Sequence, residues 1–267
     1  MTYKDNEKDL FLSGMDSRIL RLSLSKAIRA MADLVMPRVC VVCGRDLLLV
    51  EDHICTECEA ELPLTHFARQ RDNPMAEAFN SMIQKEIEAG EEGFEPFSYA
   101  TALIYYSGSS AYKNIPRGLK YGRNFGEGRH FAKMLGRELA SSALFADVDV
   151  IVPVPLHWVR RWKRGYNQAE VIAKSVAREM GGISVEYGLV KRVRYTKTQT
   201  KLHKSKRYSN VENAFKARVC SPVPKHILLV DDVFTTGSTL CACERALRKV
   251  FPAKTRISVA TLAFVKE

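Results

Sequence analysis

The sequence lacks two features that would assign it to common protein classes. It has no apolar run of about 18 residues, so we expect no transmembrane helix. None of its 15 glycines is followed by lysine, which excludes the G-x-x-x-x-G-K-[ST] loop of P-loop NTPases. The first residues, Met1–Glu7, are polar and do not resemble a signal peptide, so a reducing cytoplasm is the expected compartment.

Positive charge is concentrated in one part of the chain. The net charge of the 267 residues is +11. Residues 157–218 hold 16 Lys and Arg against 4 Asp and Glu, a net charge of +12, whereas residues 1–156 hold 18 against 22, a net charge of −4. A basic segment of this kind indicates a polyanionic partner, either pyrophosphate or nucleic acid.

The most informative stretch is an apolar strand that runs into acids and hydroxyl residues. Residues 227–230 are apolar and predict a strand buried on both faces. Asp231 and Asp232 follow, and helical spacing begins near Cys241. Between the acids and the helix lie Thr235, Thr236, Gly237, Ser238 and Thr239. A strand, a polar turn and a helix start form an anion site, since free N–H groups and the helix dipole favour negative charge there.

The acidic pair restricts the ligand of this anion site. Carboxylates repel a bare phosphate, but they suit a ligand that also presents hydroxyl groups or a divalent cation. A ribose 5-phosphate presents hydroxyl groups as well as a phosphate. The metal-binding strand of a P-loop NTPase is one alternative, which the absent loop disfavours, and a plain buried strand with a polar turn is the other.

A second strand with a basic exit precedes the first in the chain. Residues 149–155 predict a buried strand that prolines end, and a helix is expected over residues 169–180. Between them, Arg160, Arg161, Lys163 and Arg164 lie in what we interpret as a basic loop. The pattern predicts a second anion site.

Four cysteines predict a zinc site near the N-terminus. Cys40 and Cys43 form one C-x-x-C pair, and Cys55 and Cys58 form another after eleven residues. Four thiolates complete a tetrahedral Zn²⁺ site, which is then structural. Two disulfides are disfavoured in a reducing compartment. His53 is close enough in sequence to replace one cysteine as a ligand.

Apolar spacing predicts the remaining elements. We expect an amphipathic helix over 17–35, a helix over 75–89, a strand over 98–106, a helix over 129–144 and a strand over 256–265. The amphipathic helix is expected to pack on the next module, with membrane-surface binding as the alternative. Residues 189–218, with ten Lys and Arg and one acid, are expected to form a loop.

Two family resemblances follow from these motifs. Residues 227–239 resemble the phosphoribosyl-pyrophosphate (PRPP) motif of type I phosphoribosyltransferases. V-P-V-P-L-H-x-x-x-x-x-x-R-G-Y-N-Q, which begins at Val152, and the earlier cysteine pairs resemble the ComF/GntX competence-protein family. The resemblance implies an α/β fold, a mostly parallel sheet with helices on both faces, and a small N-terminal zinc module.

The resemblance also implies roles for individual residues. Asp231 and Asp232 would be catalytic and hold the ribose, and Thr235 to Thr239 would bind the 5-phosphate. A pyrophosphate loop would include Pro153, Val154, Pro155, Leu156, His157, Arg160 and Arg164. A hood over the pyrophosphate, which could also contact nucleic acid, would include Gln199, Lys201, Lys204 and Arg207. Mg²⁺ is expected to bind with PRPP.

We therefore expect four segments: a disordered tail over 1–16, a helix and zinc module over 17–68, a polar insert over 69–97 and a phosphoribosyltransferase-like domain over 98–267. The favoured function is a DNA-uptake accessory in natural transformation that binds PRPP or another phosphoribosyl ligand and single-stranded DNA. A DNA-import helicase and an inner-membrane DNA channel are the expected partners, with peripheral association at the inner membrane. The alternative is a metabolic phosphoribosyltransferase that transfers the phosphoribosyl group to a base or an amine.

Overall fold

The structure, a computed structural model, describes residues 30–87, 97–121, 125–193 and 214–265. The chain divides into two compact units, residues 1–61 and residues 62–267. The expected tail over 1–16 lies outside the described residues, and so does most of the expected helix over 17–35. Among the described residues, no helix is long and apolar enough to cross a membrane.

The first unit is a small cysteine-containing module. Residues 30–35 are helical, and an isolated bridge pairs Val39 with Asp46. A short helix, α1 (Thr56–Ala60), follows Cys55. Arg38 forms an ion pair with Asp33 at 2.8 Å, and its guanidinium also donates to the carbonyl oxygen of Leu48 at 3.2 Å. Polar contacts thus tie the short segments of this unit together.

The second unit is built on a five-stranded parallel sheet with the order β1-β7-β6-β2-β3. A separate antiparallel pair joins β4 to β5. The strands are β1 (Ala100–Tyr106), β2 (Val150–Pro153), β3 (Ser184–Val185), β4 (Val190–Arg192), β5 (Phe215–Ala217), β6 (His226–Phe234) and β7 (Arg256–Val265). The helices of this unit are α2 (Pro74–Ile87), α3 (Asn114–Tyr121), α4 (Phe125–Ala140), α5 (Trp158–Arg164), α6 (Gln168–Glu179) and α7 (Ser238–Arg248).

Helices cover both faces of the sheet, which confirms the predicted fold class. Ile227 and Leu229 of β6 pack into a core with α2 and α7. Successive strand side chains point to opposite faces, so Leu228 and Val230, both fully buried, face the other layer. That layer contains α4 and α6, which contact β1, β2, β6 and β7.

Several elements differ from their predicted form. The basic exit after β2, predicted as a loop, contains α5. The 189–218 segment, predicted as a loop throughout, contains β4 and β5 at its ends. Helix α4 starts and ends earlier than predicted, and a 3-10 turn over Ala143–Phe145 follows it. Helix α2, within the predicted polar insert, buries Met75, Phe79 and Ile83 in the core of the second unit.

Candidate functional site

The candidate site lies where the connections of the parallel sheet diverge. From β6 the chain passes through α7 to β7, which neighbours β6 in the direction away from β2. From β2 it passes through α5 and α6 to β3, which neighbours β2 in the opposite direction. Ligands of open α/β sheets bind in the crevice at such a switch point, outside the carboxyl ends of the strands.

Strand register places the loop after β2 beside the acidic end of β6. Pro153 pairs with Val230, and the next amide, that of Val154, donates to the carbonyl oxygen of Val230 at 2.9 Å. Strand β2 ends at this level, whereas β6 continues beside β7 to Phe234. The loop that begins at Val154 and the segment that begins at Asp231 are neighbours at one edge of the sheet.

The two aspartates have different positions. Both belong to β6, which is longer than the predicted strand. Asp231 is half-buried and lines a small pocket with Val233 and residues 235–240. Asp232 is buried and does not line this pocket. The backbone N–H of Asp232 donates to Oδ1 of Asp231 at 2.8 Å, which helps to hold the Asp231 carboxylate against the strand.

The predicted phosphate loop forms the turn between β6 and α7. Gly237 is the residue before α7 and has a φ of +72°, a left-handed conformation that favours glycine. A Cβ at this position would lie 2.5 Å from Met82 Cε and 2.6 Å from Phe234 Cζ. The hydroxyl oxygens of Thr236 and Ser238 are 2.9 Å apart. Met82 was not predicted as part of the site, because nothing in the sequence of α2 indicates that this side chain lies against the turn.

The loop after β2 is held by a buried asparagine. Asn167 Nδ2 donates to the carbonyl oxygen of Val154 at 3.0 Å, while its Oδ1 accepts from the Ala169 N–H at 3.2 Å and caps α6. His157 is also buried, and its Nδ1 accepts from the Val159 N–H at 3.3 Å at the start of α5. Asn167 had a usable signal, since asparagine before an apolar helix is a common N-cap.

The cations predicted for the pyrophosphate loop lie in α5 rather than in a loop. Arg161 forms an ion pair with Glu170 at 2.8 Å, at an exposed position. The side chains of Arg160, Lys163 and Arg164 lie outside the described part of the structure. The predicted hood residues Gln199, Lys201, Lys204 and Arg207 also lie outside the described residues.

Strands β4 and β5 flank the predicted hood segment. Their antiparallel pairing matches Val190 with Ala217 and Arg192 with Phe215. The Arg192 guanidinium lies 5.2 Å from the centre of the Phe215 ring. The Val193 N–H also donates to the carbonyl oxygen of Ala214 at 2.7 Å, so residues 193 and 214 lie side by side.

The four predicted zinc ligands form one cluster in the first unit. The Sγ atoms of Cys40, Cys43, Cys55 and Cys58 all lie within 4.8 Å of one another. The Cys43 and Cys55 sulfurs are 3.8 Å apart. Tetrahedral zinc with Zn–S bonds of about 2.3 Å places its sulfurs at about this separation. The donor set and its spacing therefore fit a structural zinc ion.

Backbone N–H groups around the cluster favour thiolate. The Cys55 N–H donates to Cys40 Sγ at 3.4 Å. Burial raises the pKa of Cys40, but hydrogen bonds from the backbone of Cys43, Cys55 and Val42 outweigh it and lower this pKa to about 7. Burial raises the pKa of Cys58. A bound metal supplies the charge that keeps all four thiols ionised.

Comparison with known proteins identifies one domain and several relatives. The phosphoribosyl transferase domain matches residues 166–267. Competence protein F of Haemophilus influenzae is 41% identical over 104 residues, which are 38% of this chain and 45% of that protein. DNA utilization protein YhgH of Salmonella typhimurium is 27% identical over 218 residues, 80% of this chain and 92% of that protein. Competence protein ComFC of Bacillus subtilis is 32% identical over 98 residues, 37% of this chain and 38% of that protein.

The matches therefore cover less than half the length of two of these three relatives. Among solved structures, the glutamine phosphoribosylpyrophosphate amidotransferase of B. subtilis, complexed with ADP and GMP, has a TM-score of 0.32 and 25% identity. That match covers 49% of this chain and 26% of the other. The domain match and the competence and DNA utilization relatives, together with the sheet topology and the cysteine cluster, support a ComF-type, phosphoribosyltransferase-like family for this chain.

Proposed function

We propose that this chain is a DNA-uptake accessory protein that binds PRPP or another phosphoribosyl ligand in the crevice between β2 and β6. The register of Pro153 with Val230 is the observation that carries this proposal. It places the start of the loop after β2 beside the acidic end of β6, which leads into the turn over residues 235–239. The names of the relatives, which refer to competence and DNA utilization, support the cellular role.

Each part of the crevice suits one part of a phosphoribosyl ligand. The N–H groups at the start of α7 and the hydroxyls of residues 235–239 would bind the 5-phosphate. Asp231 would accept hydrogen bonds from the ribose hydroxyls, and Asp232, buried on the same strand, would add negative charge near the sugar. The 154–157 loop would face the pyrophosphate. Mg²⁺ bound with the ligand would neutralise part of the pyrophosphate charge.

The basic segment, residues 157–218, would bind DNA. The net charge of +12 over residues 157–218 provides the attraction that a single strand of phosphates requires. We propose that this surface holds incoming single-stranded DNA while the crevice binds its small ligand. A DNA-import helicase and an inner-membrane DNA channel are the partners that this role implies.

Calorimetry tests the phosphoribosyl site. PRPP with Mg²⁺ should bind the wild-type chain. The double variant Asp231→Asn, Asp232→Asn should bind it at least about tenfold more weakly, because the variant lacks the negative charge of the two carboxylates that accept hydrogen bonds from the ribose. Asp72→Asn is the matched control, since Asp72 is an exposed aspartate away from the crevice. Equal PRPP affinity in the double variant and the control would contradict the proposed site.

Salt dependence tests the DNA surface. Affinity for single-stranded DNA should fall steeply as salt rises, because phosphate contacts release counterions. Charge reversal of Arg160, Arg161, Lys163 and Arg164 to glutamate should abolish binding at moderate salt. Charge reversal of Arg69, Lys133, Lys249 and Lys254, which are exposed in the same unit, makes the same change in net charge and should reduce the affinity much less. Equal loss in both variants would mean that only net charge matters.

A metabolic phosphoribosyltransferase is the second candidate. The pocket next to Asp231 favours it, because a carboxylate beside the ribose can stabilise positive charge that develops at the anomeric carbon. Pyrophosphate release from PRPP, measured with a set of bases and amines, tests this function. Release that requires one acceptor and is lost in the double aspartate variant would support the enzyme.

A further inference from the structure

Helix α5 presents two tryptophans to solvent. Trp158 is 72% exposed and Trp162 is 82% exposed. They are the only tryptophans of the chain. Residues four apart lie on the same face of a helix, about 6 Å apart along its axis, so the two indoles belong to one surface.

This surface lies close to the candidate site. Helix α5 begins where β2 leaves the sheet, at the edge that carries the candidate site. Trp158 lies beside His157, with ring centres 5.6 Å apart, and His157 is buried and caps the helix. Trp158 therefore lies next to a buried ring, while most of its own surface is exposed to solvent.

We propose that Trp158 and Trp162 stack on unpaired bases of a single-stranded nucleic acid. An exposed indole pair leaves a large apolar area in water, which a partner with flat rings can cover. Four of the seven residues of α5 are Arg or Lys, so the same helix attracts phosphates. Aromatic faces together with cations are the features that bind single strands without sequence preference. This inference rests on the proposed DNA-binding function and assigns its base contacts.

An anionic membrane surface also attracts tryptophan and arginine. Helices that lie in a membrane interface owe their binding to a large apolar face along their length. Helix α5 has only seven residues, and the two indoles are its only large apolar side chains. Separated aromatic rings on a short cationic helix suit individual bases better than a continuous lipid surface.

Tryptophan fluorescence measures the proposed contact directly, because no other tryptophan contributes to the signal. The probe is oligothymidylate of about 16 nucleotides, the upper end of the site sizes of single-strand-binding folds. Its addition should quench the indole fluorescence. A strand of equal length and charge made of abasic spacers should bind at least about fivefold more weakly, since it keeps the phosphates and lacks the bases.

Substitution assigns the contact to each tryptophan. Trp158→Ala and Trp162→Ala should each weaken oligothymidylate binding about fivefold or more, whereas Trp→Phe at the same positions should keep most of the affinity. Tyr187→Ala is the control, because Tyr187 is an aromatic residue 51% exposed outside α5. It should bind oligothymidylate as the wild type does. Circular dichroism of each variant checks that it is folded.

The outcomes separate this inference from the function on which it rests. If oligothymidylate binds the wild type and both alanine variants equally, base stacking is wrong and the electrostatic DNA surface stands. If oligothymidylate does not bind at moderate salt, both are wrong, and PRPP calorimetry still reports on the crevice. Indole fluorescence that shifts to the blue with phosphatidylglycerol vesicles but is not quenched by oligothymidylate would show that the two tryptophans bind a membrane and not a nucleic acid. Indoles shielded from acrylamide in the free protein would mean that the chain itself covers them.

Discussion

Pro153 and Val230 lie opposite each other in parallel register, and the amide after Pro153 donates to the Val230 carbonyl oxygen. The loop after β2 therefore begins beside the last four residues of β6, although the two strands are far apart in sequence. One leads into a turn stabilised by Asn167 and the other into a turn that requires Gly237. This pairing joins two separate sequence motifs into one candidate site.

Gly237→Ala should damage the phosphate loop. The left-handed backbone disfavours alanine by about 1–2 kcal/mol, and the added Cβ would collide with Met82 and Phe234. We expect the free energy of unfolding to fall by at least about this amount and PRPP affinity to fall about tenfold or more, because the phosphate-binding N–H groups are displaced. Urea denaturation and calorimetry measure the two effects.

Gly108→Ala is the control for this substitution. A Cβ at Gly108 would meet nothing within 4 Å, and its φ is not positive. Stability and PRPP affinity should both stay at the wild-type level. Wild-type PRPP affinity in Gly237→Ala would remove this turn from the proposed site.

Asn167→Ala should loosen the loop after β2. It removes the cap of α6, which costs about 1–2 kcal/mol, and the hydrogen bond to the Val154 carbonyl. PRPP and inorganic pyrophosphate should both bind more weakly. Asn73→Ala is the matched control, since Asn73 is a buried asparagine whose Oδ1 accepts from the N–H groups of Met75 and Ala76 at the start of α2. It should lose stability and keep pyrophosphate affinity.

Sequence patterns were sufficient for the elements that depend on local chemistry. The apolar run of β6 and the hydroxyl turn after it predicted a strand, a turn and a helix, and the structure has all three in order. The four cysteines predicted one cluster because zinc fixes ligand number and spacing, and the sulfurs do lie together. In both cases the residue types themselves determine the geometry.

Elements that depend on tertiary contacts were missed. Helix α5 has a histidine cap and few apolar residues, so no periodic pattern reveals it. Strands β4 and β5 pair across more than twenty intervening residues, and each has only three residues in which to show alternation. Helix α4 was predicted, but with its start four residues too late, because Gly126 and Gly128 near its beginning lower helix propensity. Gly136 is present because α6 packs so closely that a Cβ there would lie 2.8 Å from Glu179 Cβ.

Glu51→Ala should weaken zinc binding without removing a ligand. The Glu51 carboxylate accepts hydrogen bonds from the Leu48 N–H at 2.8 Å and from the N–H and hydroxyl of Thr56 at 2.7 and 2.8 Å. The N–H groups of Thr56 and Leu48 lower the pKa of Glu51, and the same bonds fix the chain next to Cys55. We expect zinc affinity to fall about 10–100-fold, as for other residues that support metal ligands.

Competition with a chromogenic chelator measures this zinc affinity. Glu59→Ala is the control, because Glu59 is exposed on α1 in the same unit. It should retain zinc as the wild type does. Equal zinc loss from both variants would show that charge near the cluster, rather than the Glu51 hydrogen bonds, controls the metal.

His226 should make stability depend on pH. This histidine is fully buried, with Nδ1 2.7 Å from Asp147 and Nε2 2.8 Å from the Ser258 hydroxyl. Burial lowers its pKa more than the contact with Asp147 raises it. Between this lowered pKa and the ordinary value of about 6.5, the folded chain binds fewer protons than the unfolded chain. The free energy of unfolding should therefore fall as the pH falls through that range.

Urea denaturation between about pH 7.5 and pH 5 tests this dependence, since the range includes the ordinary histidine pKa. His226→Gln should be less stable than the wild type at the upper pH and should lose less stability as the pH falls. Comparison of the two proteins cancels the titration of the other five histidines. An identical slope in the variant would show that the His226 pKa is not lowered by folding.

A crystal structure of the complete chain with PRPP and Mg²⁺ is the most direct test of the crevice between β2 and β6. We predict the 5-phosphate at the N–H groups of residues 235–239, the ribose hydroxyls at Asp231 and the pyrophosphate against residues 154–157. Density for the ligand at another surface, or an empty crevice in crystals of protein that binds PRPP in solution, would contradict the site.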